Sequence, residues 1–312
     1  MPTRLPGAPV SILSVAASST RRRQNCGVHT TLTVLTAQDW RPRAAAHAAQ
    51  VDAWSEGRRM RRGTPHPIDD FLWDYYSFRP AHLRRWHPGA GVALEDAPEH
   101  ATWPHYTTDG SRTYADVATL GERRRAFEWI RELLVRTNQR TGTFSCFGLH
   151  EWAMVYGLEQ DEVRHEQAPL RLTPAEVRDV VDAAQLKCTH YDAFRHYAPQ
   201  AIPLNVIQPS RETQLELEQP GCLHANMDVY KWCYKLTPFV SSEITFDAFA
   251  LARDIRQLDM EAAPYDLSAW GVHPVRIETA EGKAEYAQRQ RGFSERASVL
   301  RERLISALDA VL

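Results

Sequence analysis

Apolar residues recur at helical spacing over several long stretches, and these set the expected architecture. Thr36, with Asp39 three residues on, reads as a capping box. It opens a helix that runs through alanines 44–46 and 48–49, Val51 and Trp54 to the Arg58-Arg59-Met60-Arg61-Arg62 cluster, where Gly63 and Pro65 stop it. From Tyr114 to Arg136, Val117, Leu120, Phe127, Ile130 and Leu134 make one stripe, with Arg123-Arg124-Arg125 mostly opposite. Thr173-Pro174 with Glu176 starts another helix, whose apolar face carries Val177, Val180, Val181 and Ala184. Three more follow: His224 to Lys235, Glu243 to Met260 with Ala248, Leu251, Ile255 and Leu258 inward, and about Gly282 to Leu312 with Leu300, Leu304, Leu308 and Val311 inward.

Alternation with period two is rarer. In Cys146 to Gly157, His150, Trp152, Met154 and Tyr156 alternate, while Leu149, Trp152 and Tyr156 also share helical spacing; a strand is the favoured reading. Cys188 to Tyr197 and Val275 to Glu278 are also expected as strands. The resulting expectation is an α+β fold, helix-rich with a small central sheet. Residues 31–312 are expected to form a single compact domain, with a helical N-terminal part over about 36–142 and a site-bearing part over about 143–312.

Composition adjusts this picture at the edges. Residues 1–30 show no period, and with Arg21-Arg22-Arg23 they read as a disordered tail, the true start being expected near Val28. No run approaches the roughly 18 apolar residues needed to cross a bilayer, so no membrane partner and a cytoplasmic location are expected. The five cysteines are odd in number and form no CxxC pair, which argues against a disulfide framework or zinc ribbon. They are expected to be reduced and mostly buried. The net charge of −2 hides an asymmetry: residues 1–141 carry 20 Arg and no Lys against 14 acidic residues, net +6, and the remainder is net −8. The basic half suits phosphates without requiring them.

Candidate chemistry concentrates between Phe144 and Lys235. His190 and Asp192 on a strand would project from one face, and His150 or His224 would complete a 2-His-1-carboxylate set with open positions. A histidine hydrogen-bonded inside the core is an equal alternative for His190. His165 and His196 read as structural or surface residues. His224 and Asp228 lie four apart, on one side of a helix, as a shared ligand, an acid/base pair or a capping contact. Upstream, the aromatics and arginines between His66 and Gly89 read either as core or as a nucleic-acid surface.

Several strings resemble a bacterial family: His66-Pro67-Ile68-Asp69-Asp70-Phe71, Arg79-Pro80-Ala81-His82-Leu83-Arg84-Arg85-Trp86-His87-Pro88-Gly89, Gly148-Leu149-His150-Glu151-Trp152-Ala153-Met154-Val155-Tyr156, Gln219-Pro220-Gly221-Cys222-Leu223-His224-Ala225-Asn226-Met227-Asp228, Ala263-Pro264-Tyr265-Asp266-Leu267 and Gln290-Arg291-Gly292-Phe293. The likeness spans most of the chain from about Thr31, and members are commonly named 3-methyladenine DNA glycosylase. No helix-hairpin-helix turn with its downstream Asp accompanies it. The resemblance implies a DNA repair hydrolase that removes alkylated purines from damaged DNA without a cofactor. Base flipping, an aromatic pocket for a cationic base and a carboxylate to stabilise an oxocarbenium-like centre are what such chemistry needs. On that implication Asp192, Asp228 or Glu151 supplies the carboxylate, and Trp152, Tyr191, Tyr76 and Trp86 supply pocket walls. Arg84 and Arg85 would meet phosphates. The alternative is a metal-dependent enzyme, a hydrolase or non-haem iron oxygenase, with a divalent metal on His150, His190, Asp192 and His224 and a small-molecule substrate. A binding protein without catalysis is a third possibility.

Overall fold

Helix α10, Leu223–Lys235, is the axis of the structure: every residue from Leu223 to Cys233 except Lys231 is buried. A helix buried on every face, here with His224, Asn226 and Asp228 among its buried residues, needs neighbours on all sides. It packs chiefly against α11, Ser242–Glu261, and α12, Ala280–Asp309. This computed structural model describes residues 32–61, 63, 65–163 and 168–312. The expected tail, the expected start near Val28 and His165 lie outside the described residues.

In chain order the elements are β1 (Thr33–Leu35), α1 (Ala37–Met60), α2 (Phe71–Tyr75), α3 (Pro80–Leu83), β2 (Val92–Glu95), α4 (Pro98–Ala101), β3 (Tyr106–Asp109), β4 (Arg112–Ala115), α5 (Arg123–Gln139), α6 (Leu149–Met154), α7 (Pro174–Asp182), α8 (Tyr191–Phe194), α9 (Gln214–Leu217), and then α10 to α12. The fold is α+β and helix-rich. Residues Leu32–Leu312 make one compact unit, and among the described residues no helix is long and apolar enough to cross a membrane.

The helix signals read from the chain hold at several ends. The Asp39 carboxylate accepts from both the N–H (3.2 Å) and the hydroxyl (2.6 Å) of Thr36 at the start of α1. At α7, Glu176 accepts from the Thr173 N–H (2.8 Å) while its own N–H donates to the Thr173 hydroxyl (3.3 Å). Val177 and Val181 are its buried residues.

The strands, however, lie elsewhere than expected. The sheet has order β1-β2-β4-β3, with β1 and β2 parallel and the other pairs antiparallel. It belongs wholly to residues 33–115, the part expected to be helical. Asp109-Gly110-Ser111 explains the miss: Gly110 takes φ 59° at the first central position of a two-residue hairpin loop, so Arg112–Ala115 pairs with Tyr106–Asp109 and the helix begins only at Arg123. Within residues 146–157 the helix α6 stands where a strand was expected, because helical spacing buries Leu149, Trp152 and Ala153 together. Cys188 to Tyr197 is likewise not a strand: the Ala193 N–H donates to His190 Nδ1 (3.3 Å), capping α8. Val275 to Glu278 is irregular.

The sheet packs on a small cluster in which Trp40 and Trp86 stack at 6.4 Å, Trp40 Nε1 donates to the Glu95 carbonyl (2.9 Å) and Trp86 Nε1 to Glu243 (3.0 Å). The larger core surrounds α10. Two glycines of α12 test this packing in opposite senses. Gly292 has open space at its Cβ position, whereas a Cβ on Gly282 would overlap the Arg276 carbonyl. In urea unfolding, Gly292→Ala is expected to raise stability by up to about 1 kcal/mol, and Gly282→Ala to lower it by about 1–3 kcal/mol.

Candidate functional site

Three loops enter helices, and each brings a histidine to the same place. In the first, Phe147 and Gly148 take φ of 48° and 75°, and a Cβ on Gly148 would press on the Tyr286 ring, so the chain can turn there into α6 with His150 in the first turn. The second ends at His190, the cap of α8. The third is fixed by Gln219, whose Oε1 accepts from the N–H groups of Thr143 (2.9 Å) and Gly221 (2.7 Å). Gly221 is pressed against Thr143 so closely that a Cβ would overlap its carbonyl oxygen. His224 follows in the first turn of α10. The three rings meet: His150 and His224 have centroids 4.4 Å apart, edge to face, and His190 stacks on His224 at 5.5 Å.

Two buried charge networks flank this trio. In the first, His150 Nε2 and Asp259 Oδ1 are 2.7 Å apart, and Arg256 Nη1 donates to Asp259 Oδ2 (2.7 Å) and Glu151 Oε1 (3.0 Å). The Phe71 ring covers the Arg256 guanidinium at 3.8 Å. Burial works against charge on both His150 and Asp259, but their mutual attraction overcomes it, raising His150 well above and holding Asp259 far below their ordinary values. Burial, followed by the Asp259 charge, pushes the Glu151 carboxyl up. Burial and the His150 charge push His224 down to about 3, so it is neutral.

In the second network, Asp228 accepts from the Tyr76 hydroxyl (2.9 Å), from Lys231 Nζ, and from His190 Nε2 (3.2 Å). Lys231 also reaches Asp192 (3.1 Å), which Arg195 holds from the other side (2.9 Å). Burial opposes the Asp228 charge, yet Lys231 and His190 pull its carboxyl below the usual range. Burial likewise opposes the Lys231 charge, and Asp228 with Asp192 raises it.

Between these networks and the surface lies a cavity of ≈310 Å³, lined by Phe71 and Tyr75 of α2, Glu151 and Met154 of α6, Asp192 of α8, His224, Arg256 and Tyr265, with Pro65, His66 and Pro67 among its other walls. Next to it, donor atoms of His150, His224 and Asp259 lie within 4.8 Å of one another. His224 Nδ1 is buried with no hydrogen-bond partner. Two imidazoles and a carboxylate at this spacing can hold a divalent ion.

The structure therefore brings together some of the candidates and separates others. Of the four expected metal ligands, His150 and His224 converge, His190 is turned to Asp228, and Asp192 is tied to Lys231 and Arg195. Glu151 and Asp192 line the cavity, whereas Asp228 is buried behind His190. Trp152 is fully buried, donating to the Ala262 carbonyl (2.8 Å); Tyr76 serves Asp228, and Trp86 belongs to the cluster under the sheet. Tyr191 lies under Arg211 (5.7 Å), outside the cavity lining. Arg84 is exposed and paired with Asp52 (3.0 Å), and Arg85 is exposed over Trp103 (5.4 Å).

Arg256 and Asp259 went unnoticed in the sequence. Their signal was present: Ala248, Ala252, Ile255 and Asp259 follow one helical stripe, so Asp259 falls where an apolar residue belongs, with Arg256 adjoining it. Lys231 is similarly the one residue of the Leu223–Cys233 run that is not buried. Among known proteins, no family model matches the chain, and no curated protein or solved structure is similar to it.

The second network predicts a pH dependence. Asp228, depressed from 3.8, contributes stability that is complete above about pH 4 and is lost as the pH falls through its folded value. Lys231, raised from 10.5, contributes stability that is complete below about pH 10 and is lost above it. Lys231→Met is expected to lower stability at neutral pH by about 3–5 kcal/mol, because it strands a buried carboxylate. It should also flatten the acid limb of a stability–pH curve measured in urea.

Proposed function

We propose that the protein is a metal-dependent enzyme acting on a small molecule bound in the cavity, with His150, His224 and Asp259 as the protein ligands of the ion. The meeting of these three donors within 4.8 Å carries the reading. Two imidazoles and one carboxylate leave coordination positions open, and His224 also borders the cavity. An ion bound there supplies Lewis-acid polarisation or an acidified water. Glu151, on the cavity wall with its carboxyl pushed up by burial, is placed to take or give a proton. Arg256 holds Glu151 and Asp259 in register. Phe71, Tyr75 and Tyr265 contribute aromatic walls suited to an apolar or aromatic substrate body. The volume, near the lower end for ligand sites, suits a compact substrate.

Protein purified without a metal-binding tag is expected to hold close to one equivalent of iron, zinc or manganese on these three ligands. His150→Ala, His224→Ala and Asp259→Ala should each remove it, while Asp192→Ala keeps it. Folded wild type that takes up no metal even on reconstitution refutes the proposal.

A second reading uses the same cavity: hydrolysis of the N-glycosidic bond of an alkylated purine, as the resemblance implies. It is favoured by Glu151 and Asp192 lining one space with Phe71 and Tyr75, which supplies carboxylates and aromatic walls together. Release of methylated base from alkylated DNA is then expected to survive chelation and to fall by about 100-fold or more in Glu151→Gln. No release at high enzyme concentration rules this reading out.

A further inference from the structure

His150 has two working edges. Its Nε2 faces Asp259, and its Nδ1 faces Cys146 Sγ at 3.7 Å. Cys146 has company on that side: a void of ≈10 Å³ is lined by Cys146, Cys188 and Cys222 together with His150 and His224. That is room for about one water-sized occupant. The thiols come from three separate loops. Cys146 stands four residues before His150, Cys188 two before His190, and Cys222 two before His224, as the residue preceding α10. The loops that bring the histidines together therefore bring the cysteines together one layer behind them. Cys233, the remaining described cysteine, is packed within α10 and takes no part.

We propose that Cys146, Cys188 and Cys222 form a buried site for a soft divalent cation of the zinc class, separate from the His150–His224–Asp259 site. Thiolates are the ligands that select such ions over hard ones. A void this small takes a single ion; it has no room for an iron–sulfur cluster. Among the described residues, no group of three or more ligands that includes a cysteine has all its donor atoms within 4.8 Å of one another, so the proposed site requires the sulfurs to move inward on binding, and each thiol that ligates gives up its proton to solvent. The exposed Lys187 and half-buried Thr189 on the lining mark the way in. With the ion in place, the His150 Nδ1–H donates to the Cys146 thiolate while Nε2 serves the outer site. One imidazole thus fixes the orientation of both ligand sets.

Cobalt(II) titration of the reduced, metal-free full-length protein tests this directly. A thiolate-to-cobalt charge-transfer band in the near ultraviolet is expected to saturate at one equivalent, to persist in Asp259→Asn and His224→Gln, and to vanish in Cys188→Ser and Cys222→Ser. Nitrogen and oxygen ligands give no such band. Cobalt bound without it, or a band that survives both serine substitutions, overturns the proposal even if the outer site fills. Should the serine variants fail to fold, alkylation of the wild type read by mass spectrometry decides. One equivalent of cadmium is expected to protect all three thiols, and unchanged labelling overturns the proposal.

Discussion

The site depends on a single doubly held carboxylate. Asp259 meets His150 through one oxygen and Arg256 through the other, both at 2.7 Å, in a part of the molecule shielded from water. Burying three ionisable groups there carries a desolvation cost that apolar residues of similar size would avoid. A core built only for stability would have continued the apolar stripe of α11 through position 259. The arrangement persists because the members satisfy one another. Removing any one leaves a buried charge without its counterpart, so the histidine, the arginine and the two carboxylates stand or fall together.

That constraint explains the architecture around it. Glu151 and His150 must enter from α6, His224 from α10, and Arg256 with Asp259 from α11, so three helices have to approach closely at their polar positions. Close approach is what the glycines of the entry loops permit: Gly221 against Thr143 leaves no space for a side chain, and Gly148, at positive φ, would press a Cβ on the Tyr286 ring. Gln219 and Gln290 then bind the loop backbone from below, Gln290 Nε2 donating to the Gly221 carbonyl at 2.6 Å. The same crowding places Asn226 against Arg301, which donates to it at 2.8 Å, so α12 is also tied into the polar interior.

Sequence pattern carried the long helices because their periods and caps are local: Thr36 with Asp39 and Thr173 with Glu176 are complete within four residues. It misplaced the sheet because its signal is a two-residue turn at Gly110-Ser111, which a downstream apolar stripe outweighed. The site was legible only in part. His150, Glu151 and His224 stood out within a dense stretch, but the carboxylate that joins them, Asp259, lies 35 residues beyond His224 and shows itself only as a flaw in an apolar stripe. His190 and Asp192 looked paired because they are neighbours in sequence. A short helix turned them apart, and each found its partner on α10, at Asp228 and Lys231. Local spacing identifies residue types suited to chemistry, while tertiary contacts decide which of them meet.

The electrostatics of His150 bear on both functional readings. Without an ion, the charge of Asp259 favours a proton on the imidazole and raises its ionisation well above the ordinary value. In the metal reading, that proton and the cation compete for the same gap between Nε2 and Asp259, so uptake of the ion releases a proton and strengthens as the pH rises. In the glycosidic reading the gap stays protonated. His150, Asp259 and Arg256 then form a fixed array of charge behind Glu151, whose carboxyl is pushed up by burial and by the Asp259 charge. Arg256 and His150 pull in the opposite direction, against burial and the Asp259 charge. In either reading Asp259, from α11, bears on the protonation of both His150 and Glu151 from one layer behind the cavity wall.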